Sequence, residues 1–373
     1  MSKKAIVSGH ICIDITPVFT DSTRNVSELG QLLKPGKLIQ MSSADVHTGG
    51  AVANTGIAMK VLGADVSLMG KIGKDSFGDM VRSILDQYDA ADGLIVDDGQ
   101  ITSYSVVLAP PGIDRIFLHC PGANDTFDGS EITDEMLDDT ALFHFGYPTI
   151  MRKMYEDGGQ NLASLFKRMK EHDIATSLDL AAIDPDSPAG RADWRMILSK
   201  VLPYVDFFVP SFEELCFMLD RSGYERLLDK AGSRDMTEIL STDKDIEPLA
   251  RECIDMGAGS VLLKCGAPGL FFKAAEDMSK TGGRLGLDTA KWNGHSRFEK
   301  SFKIDRVISA TGAGDTCIAA FLTSILEGAA PKEAVENAAA AGALCCMSYD
   351  AVSGLKSLRK IREMIDLGWE RSE

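Results

Sequence analysis

Ser309-Ala310-Thr311-Gly312-Ala313-Gly314-Asp315-Thr316 runs straight into an apolar helical segment, Cys317 to Leu326. The glycines let backbone amides turn inward and approach a ligand with no Cβ in the way. A helix that begins here adds its unpaired N–H groups and the positive end of its dipole. Together these make a nest for a phosphate or a developing oxyanion. An aspartate beside such a nest repels the anion the nest attracts, so its position calls for a task. A carboxylate at Asp315 can accept a proton from a substrate hydroxyl while the amides stabilise a transferring phosphoryl group. The bland alternative is a Gly-rich helix start with Asp315 as a first-turn charge. No G-x-x-x-x-G-K-[ST] occurs in the chain, which excludes a P-loop enzyme.

Outward from there, a second glycine pair opens another helix: Thr48-Gly49-Gly50-Ala51-Val52-Ala53-Asn54-Thr55. Asn54, one turn in, presents a donor and an acceptor at that helix start. A plain loop-to-helix junction is the alternative. Asp14 ends an apolar run that begins at Ala5, and a carboxylate there can take two hydrogen bonds from a vicinal diol. The competing role is a turn-capping aspartate before Pro17.

The chain has 373 residues, enough for one large domain or two smaller ones. With 45% hydrophobic and 25% charged residues it can fill a core without staples, and wholesale disorder is excluded. No apolar run reaches the roughly 18 residues of a membrane span. A net charge of −16 leaves no basic face to spare for nucleic acid. It does not exclude an anionic substrate, because local amides override the mean field. Eight cysteines without any C-x-x-C read as buried small hydrophobes in a reducing compartment. The opening Met1-Ser2-Lys3-Lys4 and an apolar stretch broken by His10 and Asp14 do not make a signal peptide. The expectation is a cytoplasmic protein with no nucleic-acid or membrane partner.

Strands are expected at Ala5–Gly9 continuing into Ile11–Ile15, at 37–47 and at Val66–Gly70. A loop is expected at 16–35, and Ser76 is expected to cap a helix reaching Tyr88. Residues 101–108 and 115–120, flanking Ala-Pro-Pro-Gly-Ile-Asp, read as a hairpin. From residue 140, short apolar runs (Ala141–Phe145, Ala175–Leu180, Asp206–Val209, Ser260–Lys264) alternate with helical segments, implying βαβ units and a mostly parallel sheet. The strands at 11–15, 37–47, 101–108 and 115–120 lack crossover helices between them all and are expected to form a small separate sheet. Two stretches, 221–245 and 276–300, look like polar surface insertions. No linker divides the chain, so residues 1–373 are taken as a single domain.

These motifs carry a resemblance. Gly49-Gly50-x-x-x-Asn54, Leu62-Gly63-Ala64-Asp65, Gly70-Lys71-Ile72-Gly73-Lys74-Asp75-x-Phe77-Gly78 and Thr311-Gly312-Ala313-Gly314-Asp315-Thr316 are similar, in order and separation, to the two signatures of the ribokinase family of PfkB-type sugar kinases. The similarity covers about residues 4–350. It implies an α/β fold: a three-layer sandwich around a central, mostly parallel sheet, with a small β-sheet lid over the sugar. It implies MgATP-dependent phosphorylation of a hydroxyl of a small sugar, with Asp315 as base and the amides of Gly312, Ala313 and Gly314 neutralising the transferring group. Asp14, Gly49, Gly50 and Asn54 would hold sugar hydroxyls, and His119 or Asn124 from the lid would close over them. Lys264, Gly266, Thr311 and Asn337 would lie at the nucleotide. Glu214, in Pro210-Ser211-Phe212-Glu213-Glu214, would order magnesium through water. Ser309 stands where the family often has an aspartate that helps bind potassium, which leaves potassium activation open. The exposed face of the lid calls for a partner, so a homodimer through it is also expected.

A neutral sugar such as ribose or fructose is favoured, because the lid stretch Arg115-Ile116-Phe117-Leu118-His119 has no dense cluster of cations. A nucleoside or a 2-keto-3-deoxy sugar acid is the alternative within the class. Outside it stands a non-catalytic sugar sensor or scaffold, which the presence of Asp315 argues against. A dehydrogenase fails for want of a G-x-G-x-x-G after the first strand. His10, His47, His144, His172 and His295 are scattered and read as solvated or core residues.

Overall fold

The computed structural model describes residues 3–20, 29–112 and 115–372. Its strands are β1 (Lys4–Gly9), β2 (Cys12–Phe19), β3 (Met41–Gly49), β4 (Asp65–Gly73), β5 (Ile95–Asp97), β6 (Tyr104–Leu108), β7 (Ile116–Cys120), β8 (Thr140–Gly146), β9 (Ala175–Asp179), β10 (Phe207–Phe208), β11 (Ser260–Lys264), β12 (Gly269–Ala274) and β13 (Ser296–Lys300). Nine of them form one sheet in the order β13-β12-β11-β10-β9-β8-β1-β4-β5. From β5 to β11 neighbours run parallel, and β12 and β13 add antiparallel at the edge. The other four pair as β3-β2-β6-β7, the small sheet.

Parallel strands covered on both faces read as unbroken apolar runs, and β8 is buried along its whole length. Alternation along each strand divides the core. Ala5, Val7 and Leu142 pack on one face with Phe207 and Phe321. Ile6, Phe143 and Phe145 pack on the other with Phe166 and Leu178. Helices over both faces complete three layers, and truncating a buried ring such as Phe143 would cost about 3–5 kcal/mol.

The first strand is one run in the sequence and two strands in space. The chain leaves the large sheet at Gly9, crosses at His10-Ile11 and enters the small sheet at Cys12. Gly9 has φ 123°, and a Cβ on it would fall 2.1 Å from Gly146 O. Asn124 clamps the crossing: its Oδ1 accepts from Ile11 N (3.2 Å) and its Nδ2 donates to Ile11 O (2.9 Å).

Several expectations need correction. Asp75, not Ser76, caps the Ser76–Asp86 helix, its Oδ1 accepting from Gly78 N at 2.8 Å. The strand expected at Asp206–Val209 shrinks to Phe207–Phe208, because Asp206 turns to meet the Lys170 ammonium. The two supposed surface insertions are partly structural. Residues 276–300 supply edge strand β13 and Trp292, which packs edge-on against Phe207, Phe272 and Phe321. Residues 221–245 contain the Arg221–Ala231 helix and a turn that buries Met236 and Thr237. Of the expected loop and hairpin turn, residues 21–28 and Ile113-Asp114 lie outside the described residues.

Candidate active site

Ligands of parallel α/β sheets gather beyond the carboxyl ends of the strands. At those ends stand His10 after β1, Tyr147 after β8, Asp179 closing β9 and Lys264 closing β11. The helix Ala313–Leu326 begins at the same edge, led by Gly312 at φ 77°. The left-handed turn is needed there, and a Cβ on Gly312 would lie 2.3 Å from Ala351 Cβ. A cleft of about 870 Å³ opens over this edge, lined in part by Gly312, Ala313, Gly314, Asp315, Lys264 and Gly266.

Asp315, 4% exposed, lies at the floor of the cleft. Tyr147 Oη donates to both carboxylate oxygens (2.8 and 2.9 Å), Asn54 Nδ2 to Oδ2 (3.1 Å) and Thr55 Oγ1 to Oδ1 (3.1 Å). Burial pushes the Asp315 carboxyl above the usual carboxylate range. The Tyr147 hydrogen bond, the Lys264 charge and the Asn54 and Thr55 donors pull it part of the way back. Tyr147 adopts a left-handed backbone (φ 66°), uncommon for a bulky residue, which fits a side chain held for a task. Burial first, then the Asp315 and Asp179 charges, hold its hydroxyl well above the ordinary tyrosine range, so it stays a donor.

Lys264 is buried with its ammonium on Asp179 Oδ1 (2.6 Å) and Val209 O (2.7 Å). Its Cδ lies 3.3 Å from where a Cβ of Gly314 would be, so the cation stands directly behind the glycine turn. Asp179 is driven up to about 8 by burial, against the pull of Lys264. The ion pair nonetheless forms, since the Asp179 and Glu214 charges hold the ammonium above its usual value despite burial. Glu214 accepts from Ser211 N (2.9 Å) in a capping box at the start of the Phe212–Leu219 helix.

Among the described residues no group of three or more His, Cys, Asp or Glu side chains is arranged to hold a metal ion. Glu213, Glu214 and Asp179 do line the cleft, a donor set suited to a magnesium ion carried on phosphates and met through water. Ser309 Oγ accepts from Thr311 N (3.1 Å), a bond that closes the turn before the glycines.

The other expected positions divide. Gly49 lies under Asp14, whose Oδ2 would be 2.1 Å from a Cβ there, and Gly50 leads the Ala51–Leu62 helix at φ 88°. His119 on β7 shares a hydrogen bond with Ser105 Oγ (3.0 Å). Gly266 makes a left-handed turn between β11 and β12 against Thr237. Thr311 Oγ1 accepts from the Arg115 guanidinium, which reaches over from the small sheet. The Ala313 amide is engaged by Ala310 O (3.2 Å), so the nest is narrower than three amides.

Two expectations fail. Asn124 is fully buried, with both ends spent on Ile11, and does not reach toward a substrate. Asn337 turns into the contact between two helices, where its Nδ2 donates to Ser324 Oγ (3.0 Å). The neighbouring face of its helix, Ala339, Gly342 and Ala343, lines the cleft instead. Tyr147, Thr55, Asp179 and His10 were not anticipated as site residues. Their signal was positional: three of them follow or end a buried parallel strand, and Thr55 adjoins Asn54.

A model described as pfkB family carbohydrate kinase matches residues 7–358. The chain is 25% identical over 336 residues to the 2-dehydro-3-deoxygluconokinase of Thermoproteus tenax, covering 89% of each chain. It is 21% identical over 345 residues to the ribokinase of Arabidopsis thaliana, covering 91% of this chain and 77% of that one. Its fold is similar to that of Arabidopsis thaliana ribokinase solved with ribose and ATP: TM-score 0.71 at 18% identity, over 98% of this chain and 99% of that chain. With the family match running through both glycine motifs and almost the full length, the chain belongs to the pfkB family of carbohydrate kinases.

Proposed function

We propose that the enzyme transfers the γ-phosphoryl group of ATP to a hydroxyl of a small sugar, with Asp315 taking the hydroxyl proton. The observation that carries this is the Asp315 carboxylate: buried at the cleft floor, held by three donors (Asn54 and Thr55 on one helix, Tyr147 after β8), and set in the first turn of a glycine-led helix. Its raised proton affinity suits a group that accepts a proton as the acceptor oxygen attacks phosphorus. The Gly312–Gly314 turn and the Lys264 ammonium offer positive potential to the transferring group, and Arg115 adds a guanidinium at Thr311.

The slot between Leu270, Phe302, Val307 and the Ala339–Ala343 face is apolar and suits a nucleotide base. Magnesium on the triphosphate would neutralise charge there, with Glu214 meeting it through water. Asp14, Gly49, Gly50, Asn54 and His119 frame the acceptor side, and the small sheet would act as its lid, excluding water. Phe117 and Leu118 on β7 are more than half exposed, which supports a homodimer across that sheet. All eight cysteines are free thiols, in keeping with a cytoplasmic enzyme.

The test is ADP release from MgATP over a panel of pentoses, hexoses, sugar acids and nucleosides. A sugar-dependent rate is expected. Sugar binding without any turnover would point to the sensor instead.

A further inference from the structure

His10 sits where the chain crosses from the large sheet to the small one, and it is 2% exposed. Neither ring nitrogen has a hydrogen-bond partner. Leaving such a group buried and unsatisfied costs stability, so its persistence calls for an explanation. Its surroundings supply one. The Nδ1 atom lies 2.6 Å from where a Cβ of Gly50 would be, so only glycine at that position lets the backbone pass this close to the ring. The ring centroid is 5.3 Å from His119, on the small sheet, and 6.4 Å from Tyr147, whose hydroxyl rests on Asp315. The unpartnered imidazole is therefore wedged between the lid, the first glycine pair and the base.

The charges around it are one-sided. Burial, and after it His119, hold the His10 imidazole down at about 3, so it is neutral in use, with one donor and one acceptor nitrogen. His119 is held down by burial, and the charges that act on it are Asp14 and Asp125. The Arg115 guanidinium, just before β7, is directed to Thr311, on the phosphate side.

We propose that His10 is a specificity residue of the acceptor site: it hydrogen-bonds a hydroxyl of an uncharged sugar and, with Asp14 and His119, disfavours a carboxylate-bearing one. The inference rests on the phosphotransfer function proposed above and narrows its substrate class.

The experiment compares wild type, His10→Ala and His10→Asn, each checked for an intact thermal transition, using MgATP with D-ribose, D-fructose and 2-keto-3-deoxygluconate. An uncharged sugar is expected to give the higher kcat/KM. In His10→Ala its KM should rise about tenfold or more, the scale of one lost hydrogen bond, with the KM for MgATP unchanged. In His10→Asn, which keeps a donor and an acceptor, part of the loss should be recovered. An unchanged sugar KM in His10→Ala, or a wild-type preference for the acid, overturns the proposal. Should no sugar stimulate turnover, phosphotransfer fails as the function, and the 15N resonances of the His10 ring, assigned by their loss in His10→Asn, still decide this point. A shift on adding an uncharged sugar upholds it, and no shift with any of the three sugars overturns it.

Discussion

Two of the helices that start on a glycine at positive φ without a side-chain cap, Ala51–Leu62 and Ala313–Leu326, put that start to opposite use. At Ala51–Leu62 the end is roofed by protein: Val52 N donates to His10 O at 3.1 Å, and a Cβ on Gly50 would fall 2.4 Å from that same oxygen. At Ala313–Leu326 the end faces the cleft, which Gly312, Ala313 and Gly314 line directly. The first helix spends its terminus inside the molecule and delivers Asn54 and Thr55 to the Asp315 carboxylate. The second turns its terminus to the cleft and delivers Asp315 itself. A glycine-led helix start thus announces a close backbone approach. What approaches is decided by which strand end lies opposite.

That contrast can be broken. Gly312→Ala forces a left-handed alanine into Ala351 and should remove most turnover and weaken MgATP binding, at a stability cost of at least ~1–2 kcal/mol. Gly50→Ala should instead raise the sugar KM and spare that for MgATP. If steady-state kinetics show both variants losing the same substrate, the two ends are not distinct.

A smaller effect on turnover, with a larger one on stability, comes from Lys264→Met, which leaves Asp179 buried without its cation and should cost about 3–5 kcal/mol in a denaturant melt. The double variant with Asp179→Asn should regain much of that stability and none of the MgATP affinity. Recovery of both would make Lys264 a purely structural cation.

Tyr147→Phe sharpens the comparison further. It removes a hydrogen bond that lowers the proton affinity of Asp315, so that carboxyl should rise. If Asp315 is the proposed base and works ionised, the acid limb of kcat/KM should move to higher pH, with little change on the alkaline side. An unmoved limb would mean that another group titrates in it.

The smallest effect is expected from the cation. With Ser309 in place of a carboxylate and its hydroxyl engaged by Thr311 N, replacing potassium by a bulky organic cation should change the rate little. A large drop would reveal a site made from backbone carbonyls.

Much of the fold was legible because parallel strands buried on both faces must be continuously apolar, as β8 is. The two glycine motifs were legible because only glycine takes those turns. Strands β5, β12 and β13 escaped notice: the first has three residues, the apolar second follows β11 after a short turn with no helix between and so falls outside the strand–helix alternation, and the third lies in a stretch whose polar composition hid Trp292 and an antiparallel edge. Within the site, Asp315 and Asn54 could be read from local sequence, although the bond between them spans 261 positions and no local pattern encodes it. Asn124 and Asn337 were misplaced for the converse reason. An asparagine looks the same in sequence whether its amide faces a ligand or satisfies buried backbone or a hydroxyl.

The central claim, that Asp315 is the base, is tested most directly by single-turnover phosphoryl transfer in Asp315→Asn at saturating MgATP and sugar. The account predicts a rate at least ~10²-fold below wild type, with both ligands still bound. It also predicts a melting temperature no lower than wild type, because a desolvated charge has been removed. A variant that transfers phosphate at the wild-type rate would contradict it.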